Sequence, residues 1–130
     1  MAIDAQILTV YDGGLAATVQ VIGKSDGQAG QEVNVVKVDV SELTPPCDSV
    51  AIEEIAYDVD GGLVTLSWDD VTPRPFAYLK GNDSMDYRRV GRLTNLADPA
   101  SRSGDVLLST VDFEGNGAYT ILLKMRKKFV

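Results

Sequence analysis

GDVLLST at residues 104–110 and YTILLK at 119–124 flank a glycine-rich turn, EGNG, at 114–117. Two apolar runs of strand length on either side of such a turn are typical of a β-hairpin. The sequence therefore predicts a rigid hairpin over residues 104–128 and, with it, an all-β protein. The basic end of this hairpin is predicted to be an assembly surface.

Outward from this hairpin, apolar residues recur with a period of two rather than 3.6. Three runs show it: Ala17, Val19 and Val21; Val36, Val38 and Val40; Val64, Leu66 and Trp68. Alternation of this kind places one face of a strand in the core and the other in water or against a partner. The β-branched residues in these runs also favour strands.

Three strands are expected in the first third of the chain. They cover residues 6–11, 15–22 and 32–40. Gly13 and Gly14 supply the turn between the first two. Pro45 and Pro46 end the third, because proline cannot donate a hydrogen bond into a strand ladder.

A second hairpin is predicted in the middle of the chain. Residues 50–59 and 63–68 lie on either side of Asp60-Gly61-Gly62. An Asp-Gly turn tolerates the positive φ that a tight hairpin requires. The two segments are therefore expected to pair with each other.

Residues 69–103 are predicted to form one long connection, with short strands near 76–79 and 90–93. A loop of this length is usually functional or engaged with a partner. With six to eight short strands in all, the pattern predicts a single-domain antiparallel β-sandwich or β-barrel over residues 1–130, with one long loop.

The chain of 130 residues has the length of one ordinary domain. Its one cysteine, Cys47, excludes an intrachain disulfide. No apolar run approaches the roughly 18 residues of a membrane span. The first residues lack the basic and apolar regions of a signal peptide, so synthesis in the cytoplasm is expected.

The net charge of −7 is distributed unevenly. Residues 1–73 hold two basic and thirteen acidic side chains, and residues 74–130 hold ten basic and six acidic ones, which gives −11 and +4. This asymmetry favours head-to-tail contacts between copies or docking on a charged surface. Alternatively, the acidic half keeps the protein soluble and the basic end is solvated. Double-stranded nucleic acid is not expected as a partner, because the acidic half would repel it.

The residue types argue against an enzyme. The chain has no histidine, which removes the commonest general base and metal ligand. Cys47 has no histidine to activate it and is interpreted as an incidental thiol. Asp58, Asp60, Asp69 and Asp70 fit turn chemistry and do not match the spacing of an EF-hand loop, although bound calcium stays an open alternative. No catalytic, cofactor-binding or metal-binding residue is predicted.

Aromatic residues leave two interpretations open. Tyr78 and Tyr87 are interleaved with arginines up to Arg92, as in a face that binds single-stranded nucleic acid. Alternatively, aromatic residues such as Trp68, Tyr57 and Tyr119 belong to the core or to an interface.

From Val64 onward, short motifs occur in a distinctive order. They are VTLSWD at 64–69, LKG at 79–81, DY at 86–87, GRLTN at 91–95, SGDVLLST at 103–110, YTILLK at 119–124 and RK at 126–127. As a set, this block resembles a family of small structural proteins of tailed bacteriophages, over about half of the chain. The family has paired glycines where this chain has Val90 and Gly91, so the resemblance does not fix the shape of that turn.

The resemblance implies a virion component, in the first place a capsid decoration (cement) protein. Such a protein stabilises the shell by binding the major capsid protein and neighbouring copies of itself on the capsid exterior. The residues expected to contact these partners are Lys124, Arg126, Lys127, Lys128, Arg88, Arg89, Tyr87 and Trp68.

Two alternatives to a decoration role remain. One is a tail, neck or fibre-base protein of the same virion. The other is a carbohydrate- or receptor-binding β module, in which Trp68 or residues 78–87 form a stacking platform. No membrane partner is expected under any of them.

Overall fold

The computed structural model describes residues 3–25, 31–97, 100, 102–113 and 116–129. Within this part of the chain, seven strands form the body of the protein: β1 Ile3–Asp12, β2 Ala16–Ser25, β3 Val35–Val38, β4 Ser49–Trp68, β5 Arg74–Asp86, β6 Val106–Val111 and β7 Ala118–Lys128. Two 3-10 turns, Val40–Glu42 and Arg88–Val90, are its helical elements. The search of the described residues finds no helix that could span a membrane.

The strands form one nearly closed antiparallel sheet, which the bend in β4 divides into two layers. The first and larger layer holds β1, β2 and β7 with the first half of β4, and the second holds β6 and β3 with the second half of β4. The strand order of the sheet is β1-β2-β7-β4-β6-β3, and β5 pairs with the other side of β4. The first half of β4 lies between β7 and β5, and its second half lies between β6 and β5. Strands that pass from one layer to the other through a bend are typical of orthogonal β-sandwiches. The predicted all-β fold of the sandwich or barrel kind is confirmed.

The hairpin predicted across Asp60-Gly61-Gly62 is wrong, because both flanking segments belong to the single strand β4. The glycines bend this strand instead of reversing it. Gly61 has a φ of +84°, and a side chain there would lie 2.7 Å from the Cα of Gly117. A side chain at Gly62 would overlap the ring of Phe113. The bend therefore depends on residues that have no Cβ.

The terminal hairpin predicted over residues 104–128 is also wrong. β6 and β7 both run antiparallel to β4, so they point in the same direction and follow one another along its edge. Val111 pairs with Leu63, and Ala118 pairs with Asp60. Glu114 and Gly115 of the predicted turn lie outside the described residues.

The long connection predicted over residues 69–103 contains the thirteen-residue strand β5. The expected short strand at 76–79 lies within β5. The one expected at 90–93 is wrong, since a 3-10 turn occupies Arg88–Val90 and Leu93 makes a single bridge to Ile52. β5 pairs only with β4 among the described strands, and an edge strand of this kind tolerates Pro75.

The core lies between the two layers, on the faces that the alternation indicated. Ala17, Val19 and Val21 are buried, as are Val64, Leu66 and Trp68. In the third run Val38 and Val40 are buried, but Val36 is exposed because the register shifts between it and Val38. The strand expected at 32–40 shrinks to Val35–Val38, since Asp39 caps the 3-10 turn that follows.

A buried polar cluster joins the two layers. Glu32 accepts hydrogen bonds from Lys37 Nζ, at 2.6 Å, and from the hydroxyl of Tyr119, and all three residues are buried. Burial and the bond to Glu32 raise the pKa of Tyr119. The backbone of Glu32 also pairs with Thr110 of β6. The cluster therefore fixes the segment before β3 to β6 and β7.

Candidate functional site

The basic end of β7 is divided between two faces of the sheet. Lys124 and Lys128 are exposed and Arg126 is half-buried, whereas Lys127 points inward with a side chain that is 0% exposed. Its Nζ donates to Asp12 Oδ1 at 2.7 Å and to the carbonyl of Pro45 at 3.1 Å. Lys127 therefore belongs to the interior, and its prediction as a contact residue is corrected.

The partner of Lys127 is held from a second side. Asp12 ends β1 and also accepts a hydrogen bond from the backbone N–H of Thr44 at 2.8 Å. Burial raises the pKa of Asp12, but the hydrogen bonds from Lys127 and Thr44 outweigh this, so the net pKa lies below its usual value. This ion pair joins β1, β7 and the segment before β4.

Trp68 is a core residue rather than a surface platform. It is 2% exposed and stacks on Phe76 with ring centroids 4.1 Å apart. Its place in the predicted contact set is therefore corrected. Tyr87 is half-buried, with its hydroxyl 3.4 Å from the sulfur of Met85, and only part of its ring can reach a partner.

Two of the predicted cations converge on one carboxylate. Lys124 Nζ and Arg88 Nη2 each lie 3.6 Å from Glu54 Oε1. Arg88 also binds Asp86 at 2.8 Å, and hydrogen bonds from Arg88 hold the pKa of Asp86 well below its usual range. Arg89 is exposed beside them. The structure thus brings together cations from two distant parts of the chain. We define the basic flank as Arg88, Arg89, Lys124, Arg126 and Lys128.

Much of the charge asymmetry is neutralised within the fold. Of the eight ion pairs between described residues, six join a carboxylate of residues 1–73 to a cation of residues 74–130: Asp12–Lys127, Asp48–Arg102, Glu53–Arg92, Glu54–Arg88, Glu54–Lys124 and Asp70–Arg74. In contrast, Arg89, Arg126 and Lys128 make none of these ion pairs. The two halves of the chain therefore neutralise much of each other's charge, and these three cations keep theirs without an ion pair from the set above.

An apolar surface that was not predicted from the sequence runs along β1 and the turn that follows it. Five large side chains there are between 45% and 59% exposed: Ile7, Leu8, Val10, Tyr11 and Leu15. We define them as the apolar edge. The signal was present in ILTVY at residues 7–11, where apolar side chains occupy both faces of one strand instead of alternating. A strand that buries one face against the core does not need apolar side chains on its other face.

Leu8 and Tyr11 of the apolar edge lie on the same face of the sheet as Lys124, whereas Ile7 pairs with the buried Val21 and projects from the opposite face. Pairing places Tyr11 opposite Thr18, Thr18 opposite Lys124, Lys124 opposite Glu54, and Glu54 opposite Asp86. Residues directly opposite one another in an antiparallel ladder project from the same face. This row therefore crosses five strands, with the exposed ring of Tyr11 at one end, Lys124 in the middle and Asp86, the partner of Arg88, at the other end.

A shallow groove lies farther along the same face. It has a volume of about 600 Å³ and is lined by residues that include Tyr57, Asp58, Asn82 and Asp83. Among the described residues, no three histidine, cysteine or acidic side chains are grouped so that they could hold a metal ion. The groove thus offers hydrogen-bonding groups, whereas the ring of Tyr57, which pairs with the buried Ile121, packs against the core.

Leu8, Tyr11, the cations of β7 and the open groove thus lie on one side of the sheet, and they make up the candidate site. Comparison of the chain with protein-family models, with curated proteins and with solved structures finds no match to any of them.

Proposed function

We propose that this protein is a non-enzymatic virion component of a tailed bacteriophage, and that it decorates the outside of the capsid. The observation that carries the proposal is that the exposed side chains of Leu8 and Tyr11 share one face of the sheet with the cations of β7. The resemblance of residues 64–127 to structural proteins of tailed phages is the reason for proposing a phage virion as the assembly. The partners are the major capsid protein and neighbouring copies of this chain.

The composition of this face suits a protein partner. Stable interfaces combine an apolar centre with a polar rim. Here Leu8, Tyr11 and Leu15 supply apolar area, and Arg126 and Lys128 supply cations that are not neutralised within the fold. A decoration protein needs such a surface on a rigid body and needs no reacting group.

Charge reversal on the flank tests the proposal. In a shell-binding assay, the double variant Arg126→Glu, Lys128→Glu is expected to lose most of its binding, and raised salt is expected to weaken the wild-type protein in the same way. Lys80→Glu, an exposed cation outside the flank, is the matched control. Lys127 stays unchanged in every variant, since altering it would disturb the fold.

Copy number separates decoration from the other virion roles. Quantitative mass spectrometry of intact particles is expected to find hundreds of copies of this chain. A handful of copies per particle would assign it to the tail, the neck or a fibre base. Shell binding that is unchanged by raised salt and by the charge-reversal variant would refute the basic flank as the docking surface.

One observation favours a second candidate, a carbohydrate-binding module. Asp58 and Asn82 line the groove and bring hydrogen-bonding side chains together on an open surface. Titration of the protein with a panel of oligosaccharides, with Asn82→Ala as the comparison, tests this role. Saturable binding that Asn82→Ala abolishes would support it over the decoration role.

A further inference from the structure

We propose that β1 pairs antiparallel with β1 of a second copy, across a two-fold axis close to Ile7 and Leu8. The pairing would extend the larger layer of each copy into one continuous sheet. It goes beyond the capsid role and does not depend on it, because it concerns the protein alone in solution.

The first reason is that one side of β1 has no partner strand. β1 pairs with β2 from Ile3 to Asp12, and β1 stands at the end of the strand order. Among the described residues, no other segment makes a backbone hydrogen bond to residues 3–11. The N–H and C=O groups on that side are therefore free to accept another strand.

The second reason is that β1 lacks the features that normally protect an edge. Proteins protect edges with charges, proline, bulges or very short strands. β3 is four residues long, and β5 carries Pro75, Lys80 and several other charged residues. Between Ala5 and Tyr11, β1 has no charged residue, no proline and no glycine. The register shift in the pairing of β1 with β2 lies near one end of the strand, between Thr9 and Tyr11.

The third reason is that the side chains in the middle of β1 can face those of a second copy without charge repulsion. In a symmetric antiparallel pair, the residue on the axis faces its own copy, and its neighbours meet residues that project from the same face. An axis at Leu8 sets Ile7 against Thr9 of the other copy, and an axis at Ile7 sets Leu8 against Gln6. Neither arrangement brings like charges together in the middle of the strand.

The contact has the size of a weak, reversible dimer interface. The five side chains of the apolar edge are each about half exposed. Covering them and the strand backbone in both copies removes on the order of 1,000 Å² from water, which is the lower range for a specific interface. The cations of the basic flank lie on β7 and beyond it, with β2 between them and β1, so they stay exposed in the pair.

Sedimentation velocity over a range of concentrations tests the inference. The wild-type protein is expected to form a dimer, and Leu8→Lys, which places a charge on the edge, is expected to be monomeric with an unchanged circular dichroism spectrum. Val36→Lys removes an exposed apolar residue from the other end of the sheet and is the matched control. It should dimerise like the wild type.

Single cysteines in a Cys47→Ser background locate the axis. Ile7→Cys or Leu8→Cys is expected to form a disulfide-linked dimer under mild oxidation, whereas Val90→Cys, which is exposed elsewhere, is not. A wild-type protein that stays monomeric and forms no crosslink at either position would overturn the inference. A dimer broken by Val36→Lys and not by Leu8→Lys would do the same and would assign the contact to β3.

Discussion

Lys127 lies between two residues that face outward, yet its own side chain is enclosed by the fold. A buried ammonium is tolerated when a carboxylate and further acceptors surround it. Asp12 and the carbonyl of Pro45 fill that role here. The charge of Lys127 therefore joins elements within the molecule.

Truncating this side chain should destabilise the protein strongly. Lys127→Ala leaves Asp12 partly buried without its cation, and we expect a loss of about 3 kcal/mol in the free energy of unfolding. Lys128→Ala, the exposed neighbour of the same residue type, should stay within about 0.5 kcal/mol of the wild type. Denaturant titration measures both, and equal losses in the two variants would contradict this role of Lys127.

The same ion pair gives the protein a dependence on acid. The net pKa of Asp12 in the folded protein lies below the unfolded value of 3.8, so its carboxylate stabilises the fold above that pH. This contribution is lost as the pH falls through the folded pKa. Between pH 6 and pH 2, Asp12→Asn should therefore lose less stability than the wild type. A parallel decline of the two proteins would exclude Asp12 as a source of the acid sensitivity.

At the scale of elements, β4 explains why strands were easier to predict than their partners. Alternation in VTLSW and turn residues around Gly61 are local, and they correctly indicate extended chain that changes direction. Whether a glycine pair reverses a strand or bends it depends on which strands lie alongside. Those strands, β6 and β7, come more than forty residues later, so their positions leave no trace around Gly61.

The bend can be tested with two glycines that differ in their surroundings. In Gly61→Ala the new residue must adopt a positive φ, and its methyl group must lie close to Gly117. This variant should therefore lose about 1–3 kcal/mol in the free energy of unfolding. Gly14→Ala adds a methyl group with no atom within 4 Å, so it should change stability by less than about 0.5 kcal/mol. Thermal unfolding followed by circular dichroism compares them. A tolerant Gly61 would show that the bend does not need glycine.

The candidate site was predictable only in part, for the same reason. Charge counting found the cations of the basic flank, because charge is visible in the sequence. It could not separate Lys127 from Lys128, since the direction of each side chain depends on the strand register. The convergence of Arg88 and Lys124 on Glu54 depends on pairing between three distant segments. The apolar edge was visible as composition, but its exposure follows from the position of β1 at the end of the sheet.

At the scale of the whole molecule, β4 and β5 belong to both layers. If either layer unfolds, the other layer therefore loses part of the strands that the two share. The polar cluster of Glu32, Lys37 and Tyr119 links the layers a second time. We therefore expect the protein to unfold as a single cooperative unit.

Two probes check this cooperativity. Trp68, the one tryptophan in the chain, lies where β4 pairs with β6 and reports on the second layer. Hydrogen exchange of the amides in β2 and β7 reports on the first. Both should give the same free energy of unfolding. A tryptophan transition at clearly lower denaturant concentration would mean that the second layer melts separately.

The place of β7 between β2 and β4 has a consequence for how the protein is made. β2 leaves the ribosome early, but its partner β7 follows only after roughly ninety residues, which take about 5 to 20 s to synthesise. Throughout that interval the β1–β2 pair exposes the face that is buried in the folded protein, together with the apolar side chains of residues 7–11 at its free edge. A nascent chain with this apolar surface exposed is expected to bind a chaperone. The surface is covered only when β7 takes its place between β2 and β4.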